Sequence, residues 1–169
     1  MHRSTIVPPA LLAPRCLLAL LFVLVCFVLP PREANAMSIL DAGKSCVFSA
    51  VKGTLLLNGQ PAAGAVVKRQ VEYQAKDSDE ATADASGQFE MPALYQRSVV
   101  KFLPAEFVAA QSLVVEYQGK EYKIWSNTKR KPDENAELGG QPLHLTCELS
   151  ADLQLHREFG SILRTSCTW

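Results

Sequence analysis

The sequence predicts an all-β domain, an antiparallel sandwich or barrel, and two observations carry this prediction. Turn-forming Gly, Pro, Asn and Asp recur roughly every ten to fifteen residues through 37–169, with β-branched and aromatic residues between them. Two tight-turn pairs, Asn58-Gly59 and Gln118-Gly119, also separate apolar stretches. Asn-Gly is the strongest short hairpin signal because both residues tolerate positive φ.

The first half of the domain is predicted to hold two strands and a tight turn. Residues 46–57 form the first strand, interrupted at Gly53, and residues 65–73 form the second after the Asn58-Gly59 turn. Alternation places Val67, Val71 and Tyr73 on one face of that second strand. Residues 76–80 are polar and mostly acidic, which indicates a loop. A tight turn is predicted at 84–89. There the Asp84 side chain can cap backbone amides, and Gly87 can adopt the left-handed backbone conformation.

The second half is predicted to contain a short helical insertion and a hairpin. A strand ends near Leu103, and a helical turn covers 104–110, with Pro104 at its first position. The best hairpin of the chain covers 113–125.

The last part of the chain is predicted to be a loop, a strand and a tail. The segment 126–140 is a polar loop, and 142–150 is the last strand. The tail 151–169 is expected to hold a helical turn around 153–159.

Residues 1–36 have the three parts of a cleavable secretory signal peptide. Basic residues precede an apolar run of fourteen residues at 16–29, and Ala34-Asn35-Ala36 matches the small-x-small exit. An uncleaved amino-terminal anchor is the alternative, but a spanning helix needs about 20 apolar residues. We therefore expect a domain of residues 37–169 in the periplasm or outside the cell, with no membrane span after cleavage.

The charge of the expected mature chain argues against nucleic acid as a partner. The whole chain has 17 basic and 17 acidic residues, and the leader contains Arg3, Arg15, Arg32 and Glu33. Residues 37–169 therefore carry 14 basic and 16 acidic residues, a net charge near −2. Nucleic-acid binding calls for a strongly basic face.

Three of the five cysteines, Cys46, Cys147 and Cys167, lie after the leader. In an oxidising compartment this number predicts one disulfide and one spare thiol. Cys147 with Cys167 would hold the tail and is slightly favoured, while Cys46 with Cys147 would join the first strand to the last. No CxxC, CxxH or HxxxH spacing occurs, so neither a metal nor a cofactor is predicted.

Two segments of the chain resemble a known fold family. The runs VKGTLLLNGQPAAGAVVKRQ and TADASGQFEMP are similar to the carboxypeptidase regulatory-like domain. The matching positions are Val51, Gly53, Leu55, Gly59, Pro61, Gly64, Ala65, Val67, Thr82, Asp84, Gly87 and Phe89. This resemblance implies a seven-strand Greek-key sandwich of the transthyretin-like type. It says little about function, because these residues form turns and core.

The later part of the chain resembles a small family of uncharacterised exported bacterial proteins. That similarity rests on Tyr117, Gly119, Lys120, Tyr122, Trp125, Ser126, Asn127, Cys167 and Trp169. The resemblance implies no enzymatic activity.

The sequence predicts a binding domain and not an enzyme. Gly-x-Ser-x-Gly is absent, and neither His144 nor His156 lies beside a nucleophile motif. Aromatic residues near Arg or Lys are enriched at interface centres. The candidate binding residues are Trp125, Asn127, Lys129, Arg130 and Trp169. For Trp125 a place in the core is the open alternative.

The expected function is recognition of another protein in the periplasm. One concrete form is an immunity protein that neutralises a toxic effector. The alternative is a cell-envelope or carbohydrate-associated accessory domain, which would need exposed aromatic residues along a shallow groove.

Overall fold

The computed structural model describes residues 43–98 and 105–169 of the chain. The predicted leader, 1–36, lies outside the described residues. Thirteen strands are present in the described part: β1 (Lys44–Phe48), β2 (Val51–Leu57), β3 (Gln60–Pro61), β4 (Val66–Glu72), β5 (Lys76–Thr82), β6 (Gln88–Met91), β7 (Leu94–Arg97), β8 (Ala109–Tyr117), β9 (Lys120–Lys129), β10 (Leu143–Glu148), β11 (Gln154–His156), β12 (Leu163–Thr165) and β13 (Cys167–Thr168).

The strands form two larger sheets and one two-stranded ribbon. The first sheet has the order β13-β10-β2-β3, with β6 also paired to β2, and its β10–β2 pair is parallel. The second sheet has the order β11-β12-β9-β8-β4-β5, and all of its pairs are antiparallel. Strands β1 and β7 form the ribbon.

The two sheets share one apolar core, which confirms the all-β class predicted from the sequence and is consistent with a sandwich. Val51 and Leu55 of the first sheet lie in the same buried cluster as Leu113 and Val115 of the second. Inward residues alternate with exposed ones along β4 and β10, as expected for strands with one face on a core.

The turns predicted from the sequence are confirmed. Asn58 and Gly59 have φ of 52° and 74°, and Gln118 and Gly119 have φ of 50° and 72°, so both hairpins turn through two left-handed residues. In the 84–89 turn, the Asp84 carboxylate accepts hydrogen bonds from the amides of Ser86 at 2.8 Å and Gln88 at 2.9 Å. The hydrogen bond from the Ser86 hydroxyl and these two amides hold the pKa of Asp84 below its usual value.

Two expectations about the first half of the domain are corrected. The predicted strand 46–57 breaks at Ser49 and Ala50 instead of Gly53, and β1 and β2 then join different sheets. The predicted loop 76–80 is part of β5. This acidic segment forms a strand because it lies at a sheet edge, where Asp79 pairs with the buried Arg69 and the other charges remain in water.

Three expectations about the second half are also corrected. Residues 105–108 have no regular structure and β8 begins at Ala109, so the predicted helical turn is absent from the described part of 104–110. The segment 126–140 is not one loop, because β9 continues to Lys129 and a 3₁₀ turn covers Ala136–Leu138. Strand β11 replaces the helical turn expected around 153–159.

Candidate functional site

A β-bulge in β9 decides which of the predicted site residues face the core. Leu113 pairs with Trp125 and the next residue of β8 pairs with Lys123, which leaves Ile124 as the extra residue. Ile124 and Trp125 are therefore both buried, and Asn127 and Lys129 follow Trp125 inward. Simple alternation along the strand would place the side chains of Trp125, Asn127 and Lys129 outside. Because of the bulge, all three point into the protein.

Lys129 belongs to a buried polar group that we call the Lys129 cluster. Every member is at most 3% exposed. The cluster consists of Cys46, Ser49, Gln111, Asn127, Lys129 and Glu137. These residues come from β1 and the segment after it, β8, β9 and the 3₁₀ turn, so the cluster connects four parts of the chain.

Glu137 is the centre of the Lys129 cluster. Its Oε1 accepts hydrogen bonds from the Ser49 amide at 3.0 Å, Gln111 Nε2 at 2.8 Å and Lys129 Nζ at 3.1 Å. Its Oε2 accepts the Ser49 hydroxyl at 2.6 Å. Burial opposes ionisation of Glu137, but the Lys129 charge and these hydrogen bonds outweigh it and hold its pKa below the usual value. Glu137 is therefore ionised inside the domain at neutral pH.

The Lys129 cluster contains a cysteine and a serine, residue types that act as nucleophiles in enzymes. Both are buried where a substrate cannot reach them. Burial raises the pKa of the Cys46 thiol, which lies 3.5 Å from Lys129 Nζ and is 2% exposed. The Ser49 hydroxyl donates to Glu137 and accepts from the Asn135 amide at 2.7 Å, and Ser49 is fully buried. The geometry supports a structural role, since the Cys46 thiol and the Ser49 hydroxyl are both enclosed and both have polar partners inside the cluster.

Cys147 and Cys167 form the disulfide that the sequence favoured. The two residues lie directly opposite each other in the β10–β13 pair, with an S–S distance of 2.03 Å. Cys46 is free and buried. The bond therefore attaches the end of the tail to β10.

A surface groove of about 750 Å³ lies beside this disulfide, and we call it the C-terminal groove. Side chains on the outer face of β2 and β10, strand β11 and the last five residues line it. Its characteristic side chains are Leu56, Glu148, Asp152, Leu155, His156 and Trp169.

Trp169 is the aromatic residue of the C-terminal groove, and it is 41% exposed. Its ring makes edge contacts with His156, at 5.1 Å between centroids, and with Phe159, at 5.7 Å. These contacts hold one part of the indole against the protein and leave the remainder at the surface.

Glu148 gives the C-terminal groove a fixed negative charge. Burial opposes ionisation of the carboxylate. The Ser150 hydroxyl and the amides of Gly59, Ser150 and Asn58 donate to it, and together they lower its pKa to about 2. The group is therefore ionised at neutral pH, and it also caps the Asn58-Gly59 turn.

The structure separates the five candidate binding residues. Trp125, Asn127 and Lys129 are 0%, 3% and 1% exposed, so the expectation that their side chains meet a partner is corrected. Arg130 is at the surface and forms an ion pair with Glu106, in a depression that does not include Trp169. Of the five, Trp169 alone lines the C-terminal groove.

Most residues of the C-terminal groove are not predicted by the sequence. The helical turn expected around 153–159 contains Gln154, Leu155 and His156, and the last predicted strand contains Glu148. The usable signal was the alternation in β12, where Leu163 and Thr165 are buried around the exposed Arg164. That pattern indicates a strand in the tail and hence a further sheet edge.

Two kinds of feature are absent from the described residues. No group of three or more His, Cys, Asp or Glu side chains that could hold a metal occurs in 43–98 and 105–169. Within the same residues, no helix is both long and apolar enough to cross a membrane.

The fold and the groove define a class of protein: a small two-sheet β-domain with a disulfide-anchored C-terminal groove. A family model described as a domain of unknown function, DUF6795, matches residues 51–152, more than half of the chain. The chain belongs to this family. No curated protein and no solved structure matches it. The matched segment ends at residue 152, so β11, β12, β13 and Trp169 lie beyond it.

Proposed function

We propose that this chain is a non-enzymatic, exported protein-binding domain that contacts its partner through the C-terminal groove. One observation carries the proposal. The described part of the chain has five exposed large hydrophobic side chains, and three of them lie in its last fifteen residues. Leu155 and Trp169 line the groove, and Ile162 lies in the depression beside Arg130. A concentration of exposed apolar side chains on one segment is typical of interaction sites.

The groove also has the rigidity that a binding site needs. The Cys147–Cys167 disulfide attaches the tail to β10, and Phe159 and His156 hold the Trp169 ring. A preorganised side chain loses little conformational entropy when a partner binds. Tryptophan is also among the residues most enriched at binding hot spots.

The more specific form of the proposal is an immunity protein that neutralises a toxic effector in the periplasm. The leader-like residues 1–36, the small size of the remaining chain and the resemblance to transthyretin-like recognition modules support it. The enclosed nucleophiles of the Lys129 cluster fit a protein that acts by binding.

Growth rescue tests this proposal. The proposal requires a toxin gene in the genomic neighbourhood, and a neighbourhood without one would count against it. That toxin is co-expressed in the periplasm with the wild-type protein, Trp169→Ala or Val108→Ala. Val108 is the control because it is also exposed, at 39%, but does not line the groove. We expect rescue by the wild type and Val108→Ala and loss of rescue with Trp169→Ala. Absence of rescue by the wild type would refute the immunity function.

The second candidate is a carbohydrate-associated accessory domain, and one observation favours it. An exposed tryptophan beside polar Thr146, Gln154 and Thr168 offers a stacking surface for a sugar ring. Titration with soluble peptidoglycan fragments separates the two candidates. Quenching of Trp169 fluorescence by the glycan, without rescue in the growth assay, would favour the second.

A further inference from the structure

Acidic side chains carry the charge in the lining of the C-terminal groove. Glu148 and Asp152 line it, whereas no lysine or arginine does so in the described part of the chain. His156 is its one basic side chain, and its Nδ1 lies 2.9 Å from Glu158 Oε1. A cationic group of a partner therefore meets two carboxylates and no lysine or arginine among the lining residues. Arg164 lies opposite Leu155 in the β11–β12 pair but does not line the groove.

The apolar part of the groove fits the same kind of group. The exposed part of the Trp169 ring can accept a cation over its face, and Leu56 and Leu155 lie beside it in the lining. Lysine and arginine side chains combine a charged end with an apolar stem, so they can use a ring, an aliphatic wall and a carboxylate together.

A strand edge in the groove wall indicates the shape of the occupant. Strand β11 is the last strand of its sheet and pairs only with β12 among the described strands. Its sequence, Gln-Leu-His, has no Lys, Arg, Asp or Glu, whereas β5 at the opposite edge contains Lys76, Asp77, Asp79 and Glu80. Charged side chains protect an edge from pairing, and their absence leaves β11 open to an added strand.

We propose that the C-terminal groove binds an extended segment of the partner protein that pairs with β11 and places a lysine or arginine between Trp169 and the carboxylates of Glu148 and Asp152. This inference rests on the proposed protein-binding function and specifies the chemistry of the partner.

The test uses two end-capped hexapeptides of alternating residues, one of valine and lysine and one of valine and glutamate, and nuclear magnetic resonance of the ¹⁵N-labelled protein. The chain has two tryptophans. Trp125 is fully buried and Trp169 is in the groove, so the two indole N–H signals provide a reporter and an internal control. We expect the valine–lysine peptide to shift the Trp169 signal and the amides of Gln154–His156, and to leave the Trp125 signal in place.

Two variants distinguish recognition of charge from non-specific binding of the peptide. Asp152→Asn should weaken binding of the valine–lysine peptide about threefold to tenfold, whereas Asp133→Asn, an exposed acid outside the groove, should not change it. Equal binding of both peptides, preference for the glutamate peptide, or no shift with either would overturn the inference. If rescue in the growth assay persists in any of those cases, the protein-binding function stands and only the proposed occupant is wrong.

Discussion

The ammonium group of Lys129 lies 3.1 Å from Oε1 of Glu137, and the two side chains are 1% and 0% exposed. The pair joins the end of β9 to the 3₁₀ turn, and Ser49 and Gln111 complete the hydrogen bonds of the carboxylate. Removing two charges from water is costly, and the interaction offsets that cost only while both partners and their hydrogen bonds are present.

The first prediction concerns this pair. Lys129→Met should leave Glu137 buried without its counter-charge and lower the free energy of unfolding by about 3–5 kcal/mol. Urea denaturation at pH 7 measures the change. The control is Lys52→Met, which removes a surface pair with Glu90 whose side chains are 58% and 65% exposed. That change should cost about 1 kcal/mol or less. Equal losses in the two variants would show that the buried pair has no special role.

The second prediction distinguishes the two tryptophans. Trp125 is fully buried, so Trp125→Ala should lower the free energy of unfolding by about 3–5 kcal/mol. Trp169 is 41% exposed, and Trp169→Ala should have a much smaller effect. Thermal and urea unfolding of both variants test this. A Trp125→Ala protein as stable as Trp169→Ala would contradict the position of Trp125 in the core.

The all-β class was predictable because its signals are local. Asn58-Gly59 and Gln118-Gly119 form left-handed turns through their own backbone preferences, and Gly87 completes the Asp84 turn in the same way. These elements depend on a few neighbouring residues, which a single sequence contains.

The places of Trp125 and Lys129 were not predictable, because both depend on the bulge at Ile124. One extra residue moves every later side chain of a strand to the opposite face. In β9 this shift buries a lysine that the sequence assigns to a polar loop. Its partner Glu137 is eight residues later, and nothing local marks the two as a pair.

The C-terminal groove was not predictable for a different reason. It forms where the outer face of one sheet meets the last strand of the other, so it depends on sheet order. Trp169 was identified as a candidate from its residue type, whereas Leu155 and Asp152 become candidates only when β11 is in place.

The third prediction concerns the disulfide. Replacing Cys147 and Cys167 together by serine opens a loop of 20 residues and should lower the free energy of unfolding by about 3 kcal/mol. Urea denaturation measures the change. The folded protein of residues 37–169, which lacks Cys16 and Cys26, should show no thiol accessible to Ellman's reagent until it unfolds, because Cys46 is buried. A fast-reacting thiol in the folded protein would contradict this arrangement of cysteines.

The fourth prediction concerns acid stability and Glu148. Folding lowers the pKa of Glu148 from 4.5 to about 2, so its stabilising contribution is complete above pH 4.5 and disappears as the pH falls towards 2. Glu148→Gln keeps the shape of the side chain but removes the charge that the amides of Asn58 and Gly59 bind. We therefore expect the variant to melt below the wild type at pH 6, with a difference that shrinks as the pH approaches 2.

Thermal melts at several pH values between 2 and 6 test this prediction, with Glu121→Gln as the control for loss of one exposed charge. The sign of the trend is the decisive observation. If the difference between wild type and Glu148→Gln stays constant or grows at low pH, the carboxylate does not stabilise the turn through its charge.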